Sequence, residues 1–501
     1  MRQFFKFMLA SMLGTLVVGV VLLLLFFGMV AAVAAGFGSK GKPVSIKDGS
    51  VLQLTFDAEL SDRGRDDDIA FDLGPLQAKR TIGLNQVLRV LERAKADDRI
   101  EGVFLDLSAV SGGFATLREI RAKLVEFRRE SGKPVVAWAE YYTQASYYLA
   151  TAADKVYLQP KGMVDYRGLM SEYAFLKGLF AKLGIDVQLI RGSNNRFKSF
   201  GEVYTEEKMS PANRAQIELI LRGLWADHRA AVSAKTGLAE AALDSIAGTL
   251  AARNDVAARD LKLVDALLYR DEVLADLKER MGLAKDKDIA FVSLGRYLRS
   301  QSGRDEAKGD AKTKLAVVYA EGGISSGDGD DGIQSAAFSA AIRKAREDSA
   351  IKAIVLRVNS PGGSGLASEV IWREVKLAAE AKPVVVSMGD VAASGGYYIS
   401  CPATRIYAEP TTITGSIGVF GMLPTAEGLL NKLSLHTGGI TTTWLAGGHD
   451  VRRPLDPRLQ AIVQASIDHV YARFKTLTAQ ARKTTPEQID TVAQGRVWTG
   501  A

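Results

Sequence analysis

A serine set among residues too small to hide it is the first feature with chemical content. Ser394 stands in Asp390-Val-Ala-Ala-Ser-Gly-Gly-Tyr397, at the expected start of a helix. Small neighbours leave its hydroxyl open, and a helix N-terminus favours the negative charge that develops during attack on a carbonyl. Upstream, Asn359-Ser-Pro-Gly-Gly-Ser364 follows a strand-like apolar run. Adjacent glycines let backbone N–H groups approach a ligand closely, as an oxyanion hole requires. The same glycines also suit a tight strand-to-helix turn.

A serine nucleophile needs a base. His228 and His469 fall in matching amphipathic helices, and His436 and His449 have no nearby Asp in the usual triad context, so helix-surface roles are expected for the four histidines. A lysine serves instead where burial makes it neutral near pH 7. Lys198, in Arg196-Phe-Lys-Ser-Phe200 after the apolar run Val187 to Ile190, is the lysine chosen. By itself the segment does not separate Lys198 from a solvated lysine.

The elements that must position these groups come as an internal repeat. Ala94-Lys-Ala-Asp-Asp-Arg-Ile100 is answered by Ala345-Arg-Glu-Asp-Ser-Ala-Ile351, Gly132-Lys-Pro-Val-Val136 by Ala381-Lys-Pro-Val-Val385, and Tyr147 to Tyr157 by Tyr397 to Tyr407, each about 250 residues on. Within each copy, apolar strand-like runs alternate with segments of helical period such as Leu117-Ile120-Leu124-Phe127. This alternation predicts an α/β layered domain with parallel strands. Two homologous domains are expected at 49–298 and 314–501, with the charged segment 299–313 as a solvated linker. The second copy, ending in Gly495-Arg-Val-Trp-Thr-Gly-Ala501, reads as shorter than the first, and a terminal stretch is expected to be missing from it. Counting back 250 from Ser394 gives Gln144, which cannot act as a nucleophile, so one copy is expected to keep a site that the other has lost.

Residues 1–48 read as a membrane anchor. From Phe7 to Ser39 there are 33 consecutive uncharged residues, more than the roughly 20 that cross a bilayer. The rival is a cleaved signal peptide ending near Ala32-Val-Ala34, although such apolar regions usually run about 7–15 residues. Lys40, Lys42 and Lys47 balance Arg2 and Lys6, so charge alone does not choose an orientation. The 501 residues carry a net charge of +7, with 47% hydrophobic and 24% charged residues, which excludes a disordered or collagen-like chain. A single cysteine, Cys401, excludes an intrachain disulfide and a thiolate zinc cage. No dense basic run forms a nucleic-acid stripe, and no Walker A or HExxH motif occurs, so neither nucleic acid, ATP nor zinc is expected as a partner or cofactor.

Asn359-Ser-Pro-Gly-Gly, Gly389-Asp-Val-Ala-Ala-Ser-Gly-Gly-Tyr-Tyr398 and Thr414-Gly-Ser-Ile-Gly418, in this order, resemble the signature of the signal peptide peptidase A family, and the repeat with its N-terminal anchor resembles the family's long form. The resemblance implies two tandem ClpP/crotonase-like domains and a membrane-anchored serine protease with a Ser-Lys dyad, needing no cofactor. It gives Ser394 as nucleophile and Lys198 as general base, the latter through Phe197-Lys-Ser-Phe-Gly-Glu-Val203, where Phe, Phe and Val stand in place of the family's Tyr, Ala and Pro. It gives Ser416 as the hydroxyl that orients the lysine, and with the glycine chemistry it makes Gly362, Gly363 and Gly395 the oxyanion donors. Phe197 and Phe200 are expected to supply part of the apolar surroundings of Lys198. Implied partners are remnant signal peptides and other apolar peptides, membrane lipid, and further copies in a homotetramer. The implied location is the bacterial inner membrane, facing the periplasm. A crotonase-like acyl-CoA enzyme and a non-catalytic membrane scaffold are the alternatives.

Overall fold

The computed structural model describes residues 2–38, 45–64, 81–107, 110–284, 286–301, 313–329 and 331–501, with backbone alone for 29–38 and 301. Lys40 and Lys42, and Ser108 and Ala109 of Ser108-Ala-Val-Ser-Gly-Gly113, the first copy's segment at the place of Asn359-Ser-Pro-Gly-Gly-Ser364, lie outside them. Helix α1 (Arg2–Gly38) is exposed along its first 27 residues and is long and apolar enough to cross a membrane.

The remaining chain builds two six-stranded sheets, the first wholly parallel and the second parallel but for one edge strand. The first copy supplies β1 (Ser50–Leu54), β2 (Ile100–Asp106), helix α2 (Phe114–Ser131), β3 (Val135–Tyr142), the short helix α3 (Gln144–Ala150) and β4 (Lys155–Val164). It continues through β5 (Asp186–Arg191) and the long helix α4 (Pro211–Thr236) to β6 (Ala266–Leu267) and β7 (Ala290–Ser293). The strand order is β6-β4-β3-β2-β1-β7. Leu117, Ile120, Leu124 and Phe127 of α2 are all buried, so the helical period points one stripe at the sheet. Gly132, at φ 68, ends that helix in the left-handed region that glycine enters without strain.

The second copy repeats the plan with β8 (Lys314–Glu321), β9 (Ile351–Ser360), helix α5 (Gly365–Ala381), β10 (Val384–Ala393), helix α6 (Gly395–Ser400), β11 (Arg405–Ala408), β12 (Ile413–Gly415), β13 (Phe420–Thr425), helix α7 (Pro457–Arg482) and β14 (Val497–Thr499). Its order is β8-β9-β10-β12-β14, with β11 also on β10 and β14 antiparallel to β12. The repeat holds at the level of register. Tyr141 and Tyr142 lie opposite Met163 and Val164, and 250 residues on Val391 and Ala392 lie opposite Ile413 and Thr414. One boundary differs from the sequence reading: a helix at Leu294–Gln301 runs into the segment expected as linker, because Tyr297 buries its ring in the first core and donates its hydroxyl to Asp97 at 3.0 Å.

The two units are held in a fixed relation. β5 of the first pairs antiparallel with β13 of the second, Arg191 opposite Phe420 through Asp186 opposite Thr425. Arg357 on β9, almost fully buried, donates to Asp62 and to Glu119 of the first unit at 2.7 Å each and to Ser387 at 2.9 Å. Asp390 caps α2 from the other copy, accepting from the Thr116 N–H at 2.9 Å and the Thr116 hydroxyl at 2.6 Å. Burial raises the Glu119 carboxyl above its usual range, with the Arg357 guanidinium pulling the other way.

Candidate active site

β10 ends at Ala393 and α6 begins at Gly395, so Ser394 must make a sharp strand-to-helix turn. It does so at φ 54 and ψ −117, a left-handed conformation that costs a non-glycine residue on the order of 1–3 kcal/mol. Two hydrogen bonds hold the turn: the Ser394 N–H donates to the Gly415 carbonyl and the Tyr398 N–H to the Ser394 carbonyl, both at 2.9 Å. The Asn359-Ser-Pro-Gly-Gly loop packs directly on it. A Cβ at Gly362 would fall 2.5 Å from the Gly395 nitrogen and 2.8 Å from Ser394 Cβ, so only glycine fits there.

The three expected oxyanion donors are not equivalent. The Gly362 N–H already donates to Ser360 Oγ at 3.1 Å, and that hydroxyl donates to the Gly322 carbonyl at 2.6 Å. Gly362 is therefore the spacer of the loop rather than an open donor. Among the described residues the Gly363 and Gly395 N–H groups have no acceptor. They are close neighbours, since a Cβ on Gly395 would reach within 3.2 Å of the Gly363 nitrogen.

Lys198 reaches this turn from the first copy, on the loop between β5 and α4. Its side chain is 5% exposed. Nζ lies 2.9 Å from Ser394 Oγ, 2.9 Å from Ser416 Oγ and 3.0 Å from the Ser416 carbonyl oxygen. Burial lowers the pKa of Lys198 to about 7. The contacts suit either form of the amine: an ammonium donates all three, whereas a neutral amine donates two N–H groups to the Ser416 carbonyl and hydroxyl oxygens and leaves its lone pair for the Ser394 O–H. Ser416, at φ 51, is turned into place with its N–H on the Arg496 carbonyl at 2.7 Å.

The walls of the lysine pocket differ from expectation. Phe200 is 69% exposed, and Phe197 lies under the guanidinium groups of Arg196 and Arg496. The aromatic ring beside Nζ is that of Phe420, 6.0 Å away on β13, against which Phe200 packs at 5.5 Å. The apolar neighbour thus comes from the opposite copy, a pairing invisible in local sequence. Two supports stand behind the lysine: Glu202, matched in the sequence only as a residue of the lysine motif, and Gln216, which the sequence reading missed. The buried Glu202 accepts from the Ser210 hydroxyl at 2.7 Å and Asn213 Nδ2 at 3.1 Å, tying the lysine loop to the first turn of α4. Gln216 on α4 donates to the Phe197 carbonyl at 3.1 Å and Ser199 Oγ at 2.9 Å. A polar residue on the buried stripe of a long amphipathic helix was the available signal for Gln216.

The histidines stand elsewhere. His228 is not on a helix surface but 4% exposed, stacked on Trp225 and Tyr148, and burial, with Arg121 nearby, lowers its pKa to about 4. His228 falls on the buried stripe of α4 with Ile220, Leu224, Ala231 and Val232. His436 and His469 are exposed, and His449 Nε2 sits 3.0 Å from the Pro424 carbonyl. At the corresponding place in the first copy, Gln144 opens α3 and spends its amide on the backbone of Arg167 and Gly168. Among the described residues no group of three or more His, Cys, Asp or Glu could hold a metal ion.

Residues 127–284 and 376–501 match Peptidase family S49, the first stretch containing Lys198 and the second Ser394. The chain belongs to this family. It is 40% identical over 430 residues to Protease 4 of Salmonella typhi, covering 83% of this chain and 68% of that protein. Protease 4 of Haemophilus influenzae is 34% identical over 506 residues, covering 97% of this chain and 80% of the relative. Serine protease SPPA, chloroplastic, of Arabidopsis thaliana is 32% identical over 470 residues, covering 91% and 66%. Among solved structures, the ClpP1 N165D mutant from Listeria monocytogenes matches 36% of this chain and 80% of its own at 18% identity, with a TM-score of 0.24, too low to define the fold.

Proposed function

We propose that this S49 chain is a membrane-anchored serine endopeptidase in which Ser394 is the nucleophile and Lys198 its general base. The observation that carries the reading is the 2.9 Å approach of a buried lysine, free of any acidic partner among the described residues, to a serine hydroxyl on a strained turn. In a normal lysine about one part in 2,500 is neutral at pH 7, whereas a pKa of about 7 makes half of Lys198 neutral. Neutral Lys198 removes the Ser394 proton as Oγ attacks a peptide carbonyl, and the oxyanion forms against the Gly363 and Gly395 N–H groups. The lysine, now protonated, passes that proton to the leaving amine. It then deprotonates the water that hydrolyses the acyl-enzyme, and Ser416 keeps Nζ aimed throughout.

The proposed substrates are remnant signal peptides and other extended apolar peptides released beside the membrane. Leu366, 73% exposed just beyond the Gly362-Gly363 loop, and the exposed Phe200 beside the lysine offer apolar contacts for them. α1 serves as a retained anchor holding the catalytic units on the periplasmic side. We read 49–298 and 314–501 as homologous ClpP/crotonase-like domains of the long signal peptide peptidase A form.

Further copies complete the assembly, a homotetramer in this reading. The intrachain pairing of β5 with β13 has counterparts 250 residues away that find no strand partner in the described chain: 436–441 for β5 and 170–175 for β13. Exposed Leu435 and Ile440 on one side and Met170 and Tyr173 on the other fit a head-to-tail contact between chains.

The decisive experiment is peptide hydrolysis, with active-site phosphonate labelling, by the wild type beside Ser394→Ala, Lys198→Ala and Lys198→Arg. All three variants should be inactive with the fold and membrane attachment intact, arginine failing because it stays charged. Undiminished labelling in Lys198→Arg would remove the lysine from the mechanism. Acyl-CoA turnover that survives in Ser394→Ala would favour the crotonase-like alternative.

A further inference from the structure

After the helix Pro486–Val492 the chain takes two successive left-handed residues, Gln494 at φ 54 and Gly495 at φ 78, before entering β14. That reversal sends neighbouring peptide groups in different directions, and each finds a different part of the site. The Gln494 carbonyl accepts from the Phe197 N–H at 3.0 Å, on the lysine loop. The Gly495 N–H donates to the Ile417 carbonyl at 2.8 Å and the Arg496 carbonyl accepts from the Ser416 N–H at 2.7 Å, both on the turn that carries the lysine's hydroxyl partner. The Val497 N–H donates to Gln216 Oε1 at 3.3 Å, on α4. Four consecutive residues thus join the lysine loop and α4 of the first copy to the Ser416 turn of the second.

Gly495 also lies flat on the lysine itself. A Cβ there would fall 2.6 Å from Lys198 Cβ and 2.7 Å from the Lys198 nitrogen, so any side chain must push the lysine stem away. The segment is braced on both sides. The Gln494 N–H donates to the Tyr471 hydroxyl at 3.1 Å, and the Arg496 guanidinium lies between the rings of Phe197 and Trp498, 4.9 and 4.3 Å from their centres.

We propose that Gln494–Val497 is a positioning strap for the general base, holding the Lys198 loop against the Ser416 turn and sealing the lysine stem from water. The inference rests on Lys198 being the base of Ser394. The groups facing Nζ are few: the Ser394 hydroxyl from α6, the Ser416 hydroxyl and carbonyl from the turn after β12, and the Phe420 ring from β13. The charged residues around it are engaged elsewhere. Arg496 is on its two rings, Glu202 is with Ser210, Asn213 and Arg191, and Asp490 is with Tyr471, Lys475 and Asn194. Water exclusion is therefore the lever that keeps the amine neutral, and the strap is part of what excludes water.

The test is the rate of phosphonate acylation of Ser394 from pH 6 to 10, on the detergent-solubilised full chain. Gly495→Ala should move the rise in rate at least one unit to the alkaline side, so that acylation at pH 6 falls tenfold or more and recovers by pH 10. Arg496→Ala, which leaves the backbone turn free of new strain, should move it in the same direction by less, and it serves if Gly495→Ala fails to fold. Gly282→Ala is the control: that glycine also has a positive φ, 65, but a Cβ there meets nothing within 4 Å, so its profile should match the wild type. A midpoint unchanged in both strap variants, whatever the loss of rate, would overturn the strap. Equal labelling of the wild type and Lys198→Ala would instead overturn the base on which it depends.

Discussion

Replacing Lys198 by methionine should stabilise the protein, and the gain should depend on pH in a way that only a buried neutral lysine produces. The side chain stays unbranched, becomes one atom shorter and loses its ionisable end. In the folded chain the pKa is about 7, against 10.5 for the free side chain. Between those values the unfolded chain holds a proton that the folded chain has released, so wild-type stability rises with pH across that window. Below about pH 7 both states are protonated and the cost of burial is felt in full; above about 10.5 neither is, and the cost is gone. The slope inside the window is about 1.4 kcal/mol per pH unit, which amounts to about 2 kcal/mol between pH 7 and 9 and about 4 kcal/mol by pH 10.5. Methionine has no proton to lose and should show none of this. Its removal of a donor to Ser416 offsets the gain by about 1–3 kcal/mol at every pH alike. The assay is urea unfolding of both proteins in the same detergent at several pH values, following the shift in midpoint between them. Methionine should win most at pH 7, with an advantage that shrinks steadily toward pH 10. A difference that does not vary with pH would mean that Lys198 titrates normally, and the argument for its role as a base would fall.

Two further outcomes test how the units and the chains come together. Arg357→Met leaves the buried Asp62 and the part-buried Glu119 without their shared guanidinium, and should cost about 3–5 kcal/mol in urea unfolding, with proteolysis expected first near the interface between the units; unchanged stability would show that these ion pairs do not hold the units together. Ile440→Lys places a charge on the proposed head-to-tail strand, and light scattering should find a smaller particle than the wild type, whereas an identical mass would exclude that contact.

Much of the architecture was legible because it repeats. An α/β alternation with the same phrases recurring about 250 residues apart can be read from apolar periodicity alone, and the parallel sheets with their shared register follow it. The serine was legible for a local reason: Ala-Ser-Gly-Gly at a strand end leaves few structures that do not present the hydroxyl, and its strained turn needs the small residues that the motif contains. Lys198 was visible only through a resemblance, because nothing within ten residues of it makes it unlike a solvated lysine. Its burial comes from Phe420, Ser416 and Gly495, which lie more than 200 residues away and reach it only after β5 pairs with β13. The errors come from packing and hydrogen bonds that residue type alone does not fix. Phe200 follows Lys198 in sequence yet faces solvent, His228 reads as amphipathic yet lies among aromatic rings, and Gly362 looks like an oxyanion donor until Ser360 takes its N–H. Sequence settles which residues are small, apolar or able to react, because those are properties of single side chains and short periods. Only the docked pair of domains decides which of them lose their water, and an amine becomes a base by losing it.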